Sequence, residues 1–596
     1  MSDSIDPQLL DYYQRELTWL RHAGSIFAER YPKVARRLEL SPGECPDPHV
    51  ERLLEGFALL AARLQRRLDD DYAEFSDALL EQLYPLTMRP LPSCAIVQFE
   101  PDPSKGNLAG GYPLPRDTPL FVTTRHGESI HFRTSAAVHL WPLEINEALL
   151  LGSDEAQALT GVAQARSALR LSLRCLGQSQ WAELGIEQLR LHLAASPVIN
   201  AKLYDLLGAH AIQLLAGPPG STPKVLAGLP KIVGFANDEV LLPDEDGVHP
   251  GMRLLAEYFA FPDKFSFFDV PLAGALSDSQ TLYLYIVFDQ APGSRMHLQA
   301  SDIALGCTPV INLFPRTSEP LRPDGTRSEY RLVADSHREN SVEIHSIRAL
   351  RASTSQGVQR VPAYYGSQHG GNHRCYWHAR RISGMTPNRL GTDLMLSLVD
   401  TQLDPFEEVT ELSLTAELLC TNRHLAQSLS AGTPLGFERP GPVASARLRN
   451  PPSPQSLPRL DGESRWRLVS QLTLNHLSLV EGPQALDALK EILALHNLRD
   501  EASALRQIEG LLSLSCERVI AHVGEDAWRG WRNGLEVRLQ LDPQHFVGTS
   551  AVLFSAVLAQ FFSLYATANR FVRTVLVESD KEIKAWQPQA GMPLSL

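Results

Sequence analysis

In the stretch Leu169-Arg-Leu-Ser-Leu-Arg-Cys175, apolar residues alternate with polar ones. Alternation with a period of two predicts a β-strand with one dry face and one wet face. The run Thr281-Leu-Tyr-Leu-Tyr-Ile-Val-Phe288 is apolar and aromatic almost throughout, which predicts a strand packed on both faces. Alternation recurs at Leu189 to Leu193 and at Leu412 to Leu418, without a regular succession of strands and helices. We therefore expect antiparallel sandwiches or barrels in the middle of the chain.

The first ninety residues have a helical period instead. Apolar residues at alternating spacings of three and four predict one stripe on a first helix that ends near Pro32. The same period predicts a second helix from Val50 to Leu64 and a third from about Phe75 to Leu83. The stripe belongs either to helices that pack with one another or to a bundle shared with another chain. In the second interpretation the partner-interface residues are Leu10, Tyr13, Leu17, Leu20, Phe27 and Tyr31.

The chain has 596 residues, which corresponds to about four domains at roughly 150 residues each. We predict an N-terminal helical docking segment (1–90), two β-rich domains (91–270 and 271–439), a Pro-rich linker (440–458) and a mixed α/β C-terminal domain (459–596). The last domain combines a strand from Leu535 to Leu541 with an apolar helix from about Ala551 to Tyr565. The predicted fold class is therefore α+β and multidomain.

Composition and charge restrict the classes of function and partner that the chain can have. Hydrophobic residues make up 44% of the chain and charged residues 21%, which predicts that most of it folds. The formal net charge of -13 disfavours nucleic acid and anionic lipid as partners. Seven cysteines without a C-x-x-C pair suit reduced thiols in a cytosol. The sequence has neither a signal-peptide pattern nor a run of about 18 uncharged apolar residues, so we expect no membrane insertion.

The common catalytic motifs are missing. The sequence contains no G-x-S-x-G elbow, no H-E-x-x-H zinc motif and no phosphate-binding P-loop. One stretch, HGGNHRCYWH, brings together ligand-type residues that suit zinc, although their spacing matches no established closed site: His369, His373, Cys375 and His378. The other interpretation is a loop whose histidines pair with nearby carboxylates. We predict a protein that is not an enzyme and has no cofactor, with a metal-dependent hydrolase at this cluster as the alternative.

One block is unusually aromatic and carries Tyr258, Phe259, Phe261, Phe265, Phe267 and Phe268. Rings at this density form either a core or an interface anchor. We expect a core, because six rings left exposed before assembly would invite aggregation. Cys307 is expected to be a buried apolar group rather than a nucleophile.

Eight blocks spread in order along nearly the whole chain resemble the TssF family, the type VI secretion baseplate subunit also called ImpG or VasA. The eight blocks are Tyr12–Arg21, Phe27–Pro32, 47–71 (DPHVERLLEGFALLAARLQRRLDDD), 83–93 (LYPLTMRPLPS), Gly251–Phe265, Gly306–Arg316, Leu419–Arg423 and Leu474–Leu479.

The resemblance implies a structural role. In that family two TssF copies and one TssG form the core of each baseplate wedge, and TssK trimers link it to the membrane complex. TssE connects the wedge to the contractile sheath, and six wedges surround the VgrG spike below the Hcp tube. The implied partners are therefore TssG, a second TssF copy, TssK, TssE with the sheath, and VgrG with Hcp. The implied location is the bacterial cytoplasm, at a baseplate docked to the inner membrane.

Overall fold

The computed structural model describes the chain except for residues 1–6, 32, 34–47, 107, 126, 178, 244–247, 276–277, 294–295, 325, 355–356, 366–374, 385–389, 401–412, 438–440, 459, 461–468, 470–483, 500, 523–530, 567–569, 579–580 and 591–596. The chain divides into two compact units. The first consists of Met1–Gln82 with Arg459–Thr473, and the second of Leu83–Pro458 with Leu474–Leu596.

The α-helices within the described residues are α1 (Pro7–Arg30), α2 (Pro48–Leu83), α3 (Ser153–Thr160), α4 (Pro197–Ala209), α5 (Pro250–Ala260), α6 (Ala485–His496), α7 (Ala502–Glu509) and α8 (Ala551–Tyr565). None of these helices is long and apolar enough to cross a membrane.

The strands of the first half are β1 (Cys94–Pro101), β2 (Tyr112–Leu114), β3 (Pro119–Thr123), β4 (Ser129–Thr134), β5 (Val138–Leu140), β6 (Leu143–Leu151), β7 (Ser167–Cys175), β8 (Gln188–Leu193), β9 (Ala211–Gly217), β10 (Lys224–Leu226), β11 (Lys231–Ile232), β12 (Phe267–Pro271), β13 (Thr281–Phe288) and β14 (Ile303–Ala304). Those of the second half are β15 (Cys307–Ile311), β16 (Phe314–Thr317), β17 (Tyr330–Leu332), β18 (Glu343–Thr354), β19 (Gly357–Val361), β20 (Cys375–Ser383), β21 (Thr392–Asp400), β22 (Ser413–Thr421), β23 (Gly436–Phe437), β24 (Val443–Leu448), β25 (Leu511–His522), β26 (Trp531–Leu541), β27 (Phe571–Glu578), β28 (Lys581–Ala585) and β29 (Gln589–Ala590).

In the described residues of the first unit, α1 and α2 cover the stretch where the sequence predicted three helices. Helix α2 runs without a break for 36 residues, through the stretch that separated the predicted second and third helices. That stretch is polar, so the apolar stripe fades there and imitates a boundary. Neither glycine nor proline occurs between Gly56 and Pro85, so no residue ends the helix.

The second unit is dominated by antiparallel sheets, as predicted. Its six-stranded sheet has the order β23-β3-β4-β15-β1-β24, and the other antiparallel sheets are β10-β9-β13-β7-β6, β11-β12-β8-β14, β16-β22-β18-β19, β17-β21-β20 and β2-β5. The six-stranded sheet takes strands from both predicted β-rich segments. It also takes β24 from within 440–458, so that stretch is not an open linker over its whole length. Prolines flank β24, whose Val443, Ala446 and Leu448 are buried against β1.

The two strands that decided the prediction lie side by side. Leu169, Leu171 and Leu173 on β7 are fully buried, while Arg174 is exposed. Strand β13 lies between β7 and β9 and is buried over most of its length. Both strands are confirmed, but the polar face of β7 is only partly wet, because Ser172 is buried and Arg170 is half-buried.

The C-terminal part is mixed α/β, again as predicted. Strands β26 and β27 pair in parallel, whereas β25 and β28 flank them antiparallel. Parallel neighbours need a crossover connection, and α8 supplies it between the two strands. The observed bounds of α8, Ala551–Tyr565, match the predicted helix.

The aromatic block forms core. Its six rings are at most 6% exposed: Tyr258, Phe259, Phe261, Phe265, Phe267 and Phe268. Glu257 lies among them and accepts the backbone N–H groups of Leu241 and Leu242, both at 2.9 Å, while pairing with the buried Lys264 ammonium. These contacts satisfy a carboxylate that would otherwise be costly to bury.

Candidate docking surface

The first unit presents apolar helix faces to solvent. Helices α1 and α2 are joined by a charge-assisted hydrogen bond in which Arg21 Nε donates to Glu51 Oε1 at 3.0 Å. Both side chains are partly exposed, so this pair contributes at most about 1 kcal/mol to the folding free energy. Its main effect is on how α1 and α2 are placed against each other. The apolar residues of the two helices therefore decide what the unit can bind.

The predicted stripe on α1 is only partly covered. Leu10, Phe27 and Tyr31 are exposed by 41%, 37% and 50%, and Tyr13, Leu17 and Leu20 are half-buried. The rings of Phe27 and Tyr31, one turn apart, contact each other with centroids 5.3 Å apart. The six residues thus lie along one face that still has apolar area to bury.

A second apolar face of α1 was not predicted. Trp19 and Ile26 are exposed by 63% and 52%, and they lie roughly 120° around the helix from the stripe. A helix that is apolar on two faces is typically enclosed by more than one neighbour. Helix α1 therefore has the pattern of a bundle helix that α2 alone does not cover.

The most exposed apolar stripe lies on α2. Leu53, Phe57, Leu60 and Leu64 follow spacings of four, three and four, and their exposed fractions run from 59% to 73%. The opposite side of the helix carries the small Ala58 and Ala62, both fully buried. The sequence located this stripe by its period but gave no indication that it faces solvent.

Burying such a stripe has a large effect on free energy. Covering a leucine or phenylalanine side chain is worth roughly 1.5–3 kcal/mol, so the four residues of α2 together offer on the order of 6–12 kcal/mol. Contiguous exposed apolar patches are uncommon on monomeric proteins and mark interaction sites. We refer to the exposed residues of α1 and α2 as the arm surface: Leu10, Trp19, Ile26, Phe27, Tyr31, Leu53, Phe57, Leu60 and Leu64.

The predicted metal cluster has a different outcome. His369 and His373 lie outside the described residues. Cys375 and His378 both lie on β20, three positions apart and without a bulge, so their side chains point to opposite faces of the sheet. Cys375 packs against a core cluster, whereas the His378 ring meets Tyr365 edge-on at 5.5 Å. Within the part of the chain that the structure describes, no group of three metal-ligating residues comes together.

Three buried thiols are unreactive in character. Burial raises the pKa of Cys307 to about 12, and it does the same for Cys94 and Cys420. A thiol with such a pKa is protonated at neutral pH and is a poor nucleophile. Cys307 is 3% exposed, which confirms the expectation that it acts as a buried apolar group.

A body of several antiparallel sheets joined to a solvent-facing apolar helical unit defines a class of protein: a component that packs with other chains in a larger assembly. Comparison with known proteins identifies its family. The family model for the type VI secretion system protein TssF matches residues 5–593. The chain is 32% identical to the type VI secretion system component TssF1 of Pseudomonas aeruginosa, covering 98% of this chain and 99% of that protein. The chain belongs to the TssF family.

Solved structures support the fold. A chain in the cryo-electron microscopy structure of a type VI secretion TssK-TssF-TssG baseplate subcomplex superposes with a TM-score of 0.73 at 24% identity, covering 92% of this chain and all of that one. A chain of a type VI secretion baseplate complex gives a TM-score of 0.60 at 22% identity, covering 98% of this chain and all of that one. The predicted multidomain α+β architecture is therefore that of these proteins.

Proposed function

We propose that this chain is a structural subunit of a type VI secretion baseplate, and that two copies form the core of a wedge with one TssG. Membership of the TssF family supports the baseplate role. The similar chain that was solved within a TssK-TssF-TssG subcomplex supports TssG and TssK as partners. The remaining links, to TssE and the sheath and to VgrG and Hcp, extend the proposal on the family resemblance.

The arm surface is the observation that carries the wedge-core proposal. Its apolar stripes on α1 and α2 have the 3–4 spacing that packs helices of different chains together. A contact of this kind buries about 800 Å² per partner, an area that two helices of 24 and 36 residues can supply. TssG and the second copy are the proposed occupants.

The proposal also holds that the protein is not an enzyme and acts in the bacterial cytoplasm, at a baseplate docked to the inner membrane. The hydrolase alternative loses its basis in the described residues, because Cys375 and His378 diverge across a strand. A structural role needs no site of this kind.

Two sets of substitutions on α1 and α2 test whether these helices bind TssG. Replacing Leu17, Leu20 and Phe27 by serine, or Leu53, Phe57 and Leu60 by serine, should abolish co-purification of TssG with this chain. A matched control replaces Val358 and Leu390 by serine; both are exposed apolar residues of the second unit, at 65% and 72%. TssG that co-purifies unchanged with folded arm variants would contradict the docking assignment.

A further inference from the structure

The second unit contains a cavity, and all the residues that line it belong to that unit. It has a volume of about 250 Å³, and the ends of α4, α5, α7 and α8 surround it. Small-molecule sites usually have volumes of roughly 300–1,000 Å³, so this cavity fits a single side chain better than a cofactor. Val198 and Val547, the sequence neighbours of the lining residues Pro197 and Gly548, are exposed by 48% and 71%. These neighbours give the cavity surroundings an apolar character that suits contact with another chain.

Two buried hydroxyls line this cavity. The OH group of Tyr204 and Oγ1 of Thr549 are shielded from solvent, and neither has a hydrogen-bond partner among the residues that the structure describes. Tyr204 as a whole is 2% exposed. Leaving a buried polar group without a partner is costly, so both hydroxyls favour an occupant that can hydrogen-bond to them.

A half-buried carboxyl group lines the same cavity. Asp263 Oδ2 accepts a hydrogen bond from Asn450 Nδ2 at 2.9 Å. In the described chain no lysine, arginine or histidine nitrogen is within ion-pair distance of Asp263. Burial raises the pKa of Asp263 because the carboxylate has lost water without gaining a counter-charge. A cation entering the cavity would supply that charge.

Arg449, a cationic residue that lines the cavity, forms its hydrogen bonds with residues other than Asp263. The guanidinium of Arg449 donates to the backbone oxygen of Ser301 at 2.8 Å and, more weakly, to Gln98 Oε1 at 3.4 Å. The N-terminus of α8 already has a carboxylate, because Asp205 accepts from Ser550 Oγ and from the backbone N–H of Val552. Glu501 occupies the N-cap position of α7. Of the two acidic residues that line the cavity, Glu501 pairs with Arg499, and Asp263 has no cationic partner in the described chain.

A neutral imidazole adds an acceptor. His192 Nδ1 lies 3.2 Å from the carbonyl oxygen of Ser266, so this nitrogen carries the proton and donates. Burial lowers the pKa of His192 to about 4, so the ring is uncharged at neutral pH and Nε2 retains its lone pair. The cavity therefore offers acceptors from Asp263, His192, Tyr204 and Thr549, which suits a group rich in N–H donors.

We propose that this cavity binds a guanidinium or primary ammonium group on an alkyl stem, supplied as an arginine or lysine side chain by a partner chain of the assembly. The charged end pairs with Asp263 and donates to the Tyr204 and Thr549 hydroxyls. The alkyl stem packs against apolar residues that line the cavity, which include Leu193, Phe259 and Leu553. The choice of a partner as the source rests on the proposed function; the choice of ligand chemistry does not.

The test of ligand chemistry uses the full-length chain alone and two probes measured by isothermal titration. N-acetyl-arginine amide carries the guanidinium, and N-acetyl-citrulline amide is its neutral match in shape. We expect the arginine probe to bind at least about tenfold more tightly than the citrulline probe. Asp263→Asn should remove that preference, and Tyr204→Phe should weaken binding of the arginine probe about threefold. Asp154→Asn, an equal change of net charge on α3, should leave binding unchanged.

Equal affinity for the two probes, absence of binding, or an unaltered preference in Asp263→Asn would overturn the proposal. The source is tested in the purified complex with TssG, where a cavity filled by a partner's side chain should no longer bind the arginine probe. Undiminished binding in that complex would assign the cavity to a free amine or guanidine and contradict the partner source. Failure to form the complex would count against the proposed function and leave the result for the chain alone intact.

Discussion

Asn312 and Asn422 hold each other in place through two hydrogen bonds. Asn312 Nδ2 donates to Asn422 Oδ1 at 2.9 Å, and the backbone N–H of Asn422 donates to Asn312 Oδ1 at 2.7 Å. Both residues are at most 1% exposed. They follow β15 of the six-stranded sheet and β22 of a four-stranded sheet, so the pair joins two sheets. Both residues lie in blocks that resemble the family. The hydrogen bonds between them give those blocks a role in holding the fold together.

Asn422→Ala should destabilise the second unit by about 3 kcal/mol. The Asn422 amide also accepts from His131 N at 2.9 Å and donates to the backbone oxygens of Ser129 and Ser341 at 3.1 Å, so its removal leaves several buried groups unsatisfied. The shift of the urea midpoint measures the effect. Asn237→Ala, at an exposed position, is the control and should shift the midpoint little. A loss no greater than that of the control would mean that the pair does not hold the sheets together.

Gly306 is expected to tolerate alanine poorly. Its φ is +66°, and a Cβ atom there would lie 2.5 Å from the carbonyl oxygen of Phe99. We expect Gly306→Ala to cost about 3 kcal/mol, combining left-handed backbone strain with a contact that must be relieved. Gly274 has a φ of +89° with open space around its Cβ position, so Gly274→Ala should cost only about 1 kcal/mol. Equal melting temperatures for the two variants would contradict the close approach at Gly306.

Acid should destabilise the second unit. Burial lowers the pKa of His192, His249 and His496 to about 4, so below pH 6.5 the unfolded chain binds protons that the folded chain does not. Stability therefore falls as the pH drops from 6.5 toward 4, by about 2 kcal/mol per histidine at pH 5. Asp205 acts in the opposite direction, because burial raises its pKa to about 6 and the folded state retains a proton that the unfolded state releases. Burial raises the pKa of Asp263 as well, so this group acts in the same direction as Asp205, and the three histidines outweigh the two carboxyl groups.

His496→Gln isolates one of these contributions. The His496 Nδ1 atom lies 2.8 Å from the carbonyl oxygen of Ile492, a contact that a glutamine amide can replace without titrating. The variant should lose about 2 kcal/mol less stability than the wild-type chain between pH 6.5 and pH 5. Urea unfolding at the two pH values measures this difference. An unchanged difference would show that His496 is not a source of the acid sensitivity.

Substitution of the α2 stripe should separate folding from assembly. Phe57→Asp and Leu60→Asp place charges at positions that are 61% and 59% exposed, so the unfolding free energy of the chain alone should change by less than about 0.5 kcal/mol. Ala62→Asp, on the fully buried side of the same helix, should destabilise the chain strongly. Circular dichroism melts compare the three variants. A large loss in Phe57→Asp would show that this ring is buried within the chain.

Sequence patterns predicted elements better than their arrangement. The alternation from Leu169 to Cys175 and the apolar run from Ala551 to Tyr565 specify a strand and a helix locally, and both were confirmed. The neighbours of β1 could not be predicted, because Val97 pairs with Thr308 and with Leu448, which lie more than two hundred residues away. Pairing at that distance depends on the packing of whole sheets, which no local period encodes.

The exposure of the arm surface could not be predicted from local sequence either. The period placed Phe57 and Leu60 on one stripe, but the period is identical whether a stripe faces a core or a partner. Exposure depends on which other element covers the helix, and the buried Ala58 and Ala62 show that α2 turns its small residues inward. The cavity at Asp263 was not predicted either, because its lining comes from segments far apart in sequence.

The proposal that this chain builds a wedge core with TssG is tested most directly by light scattering on the co-expressed proteins after size-exclusion chromatography. We expect a single species whose mass equals two copies of this chain and one TssG. A folded chain that elutes as a monomer in the presence of TssG would contradict it.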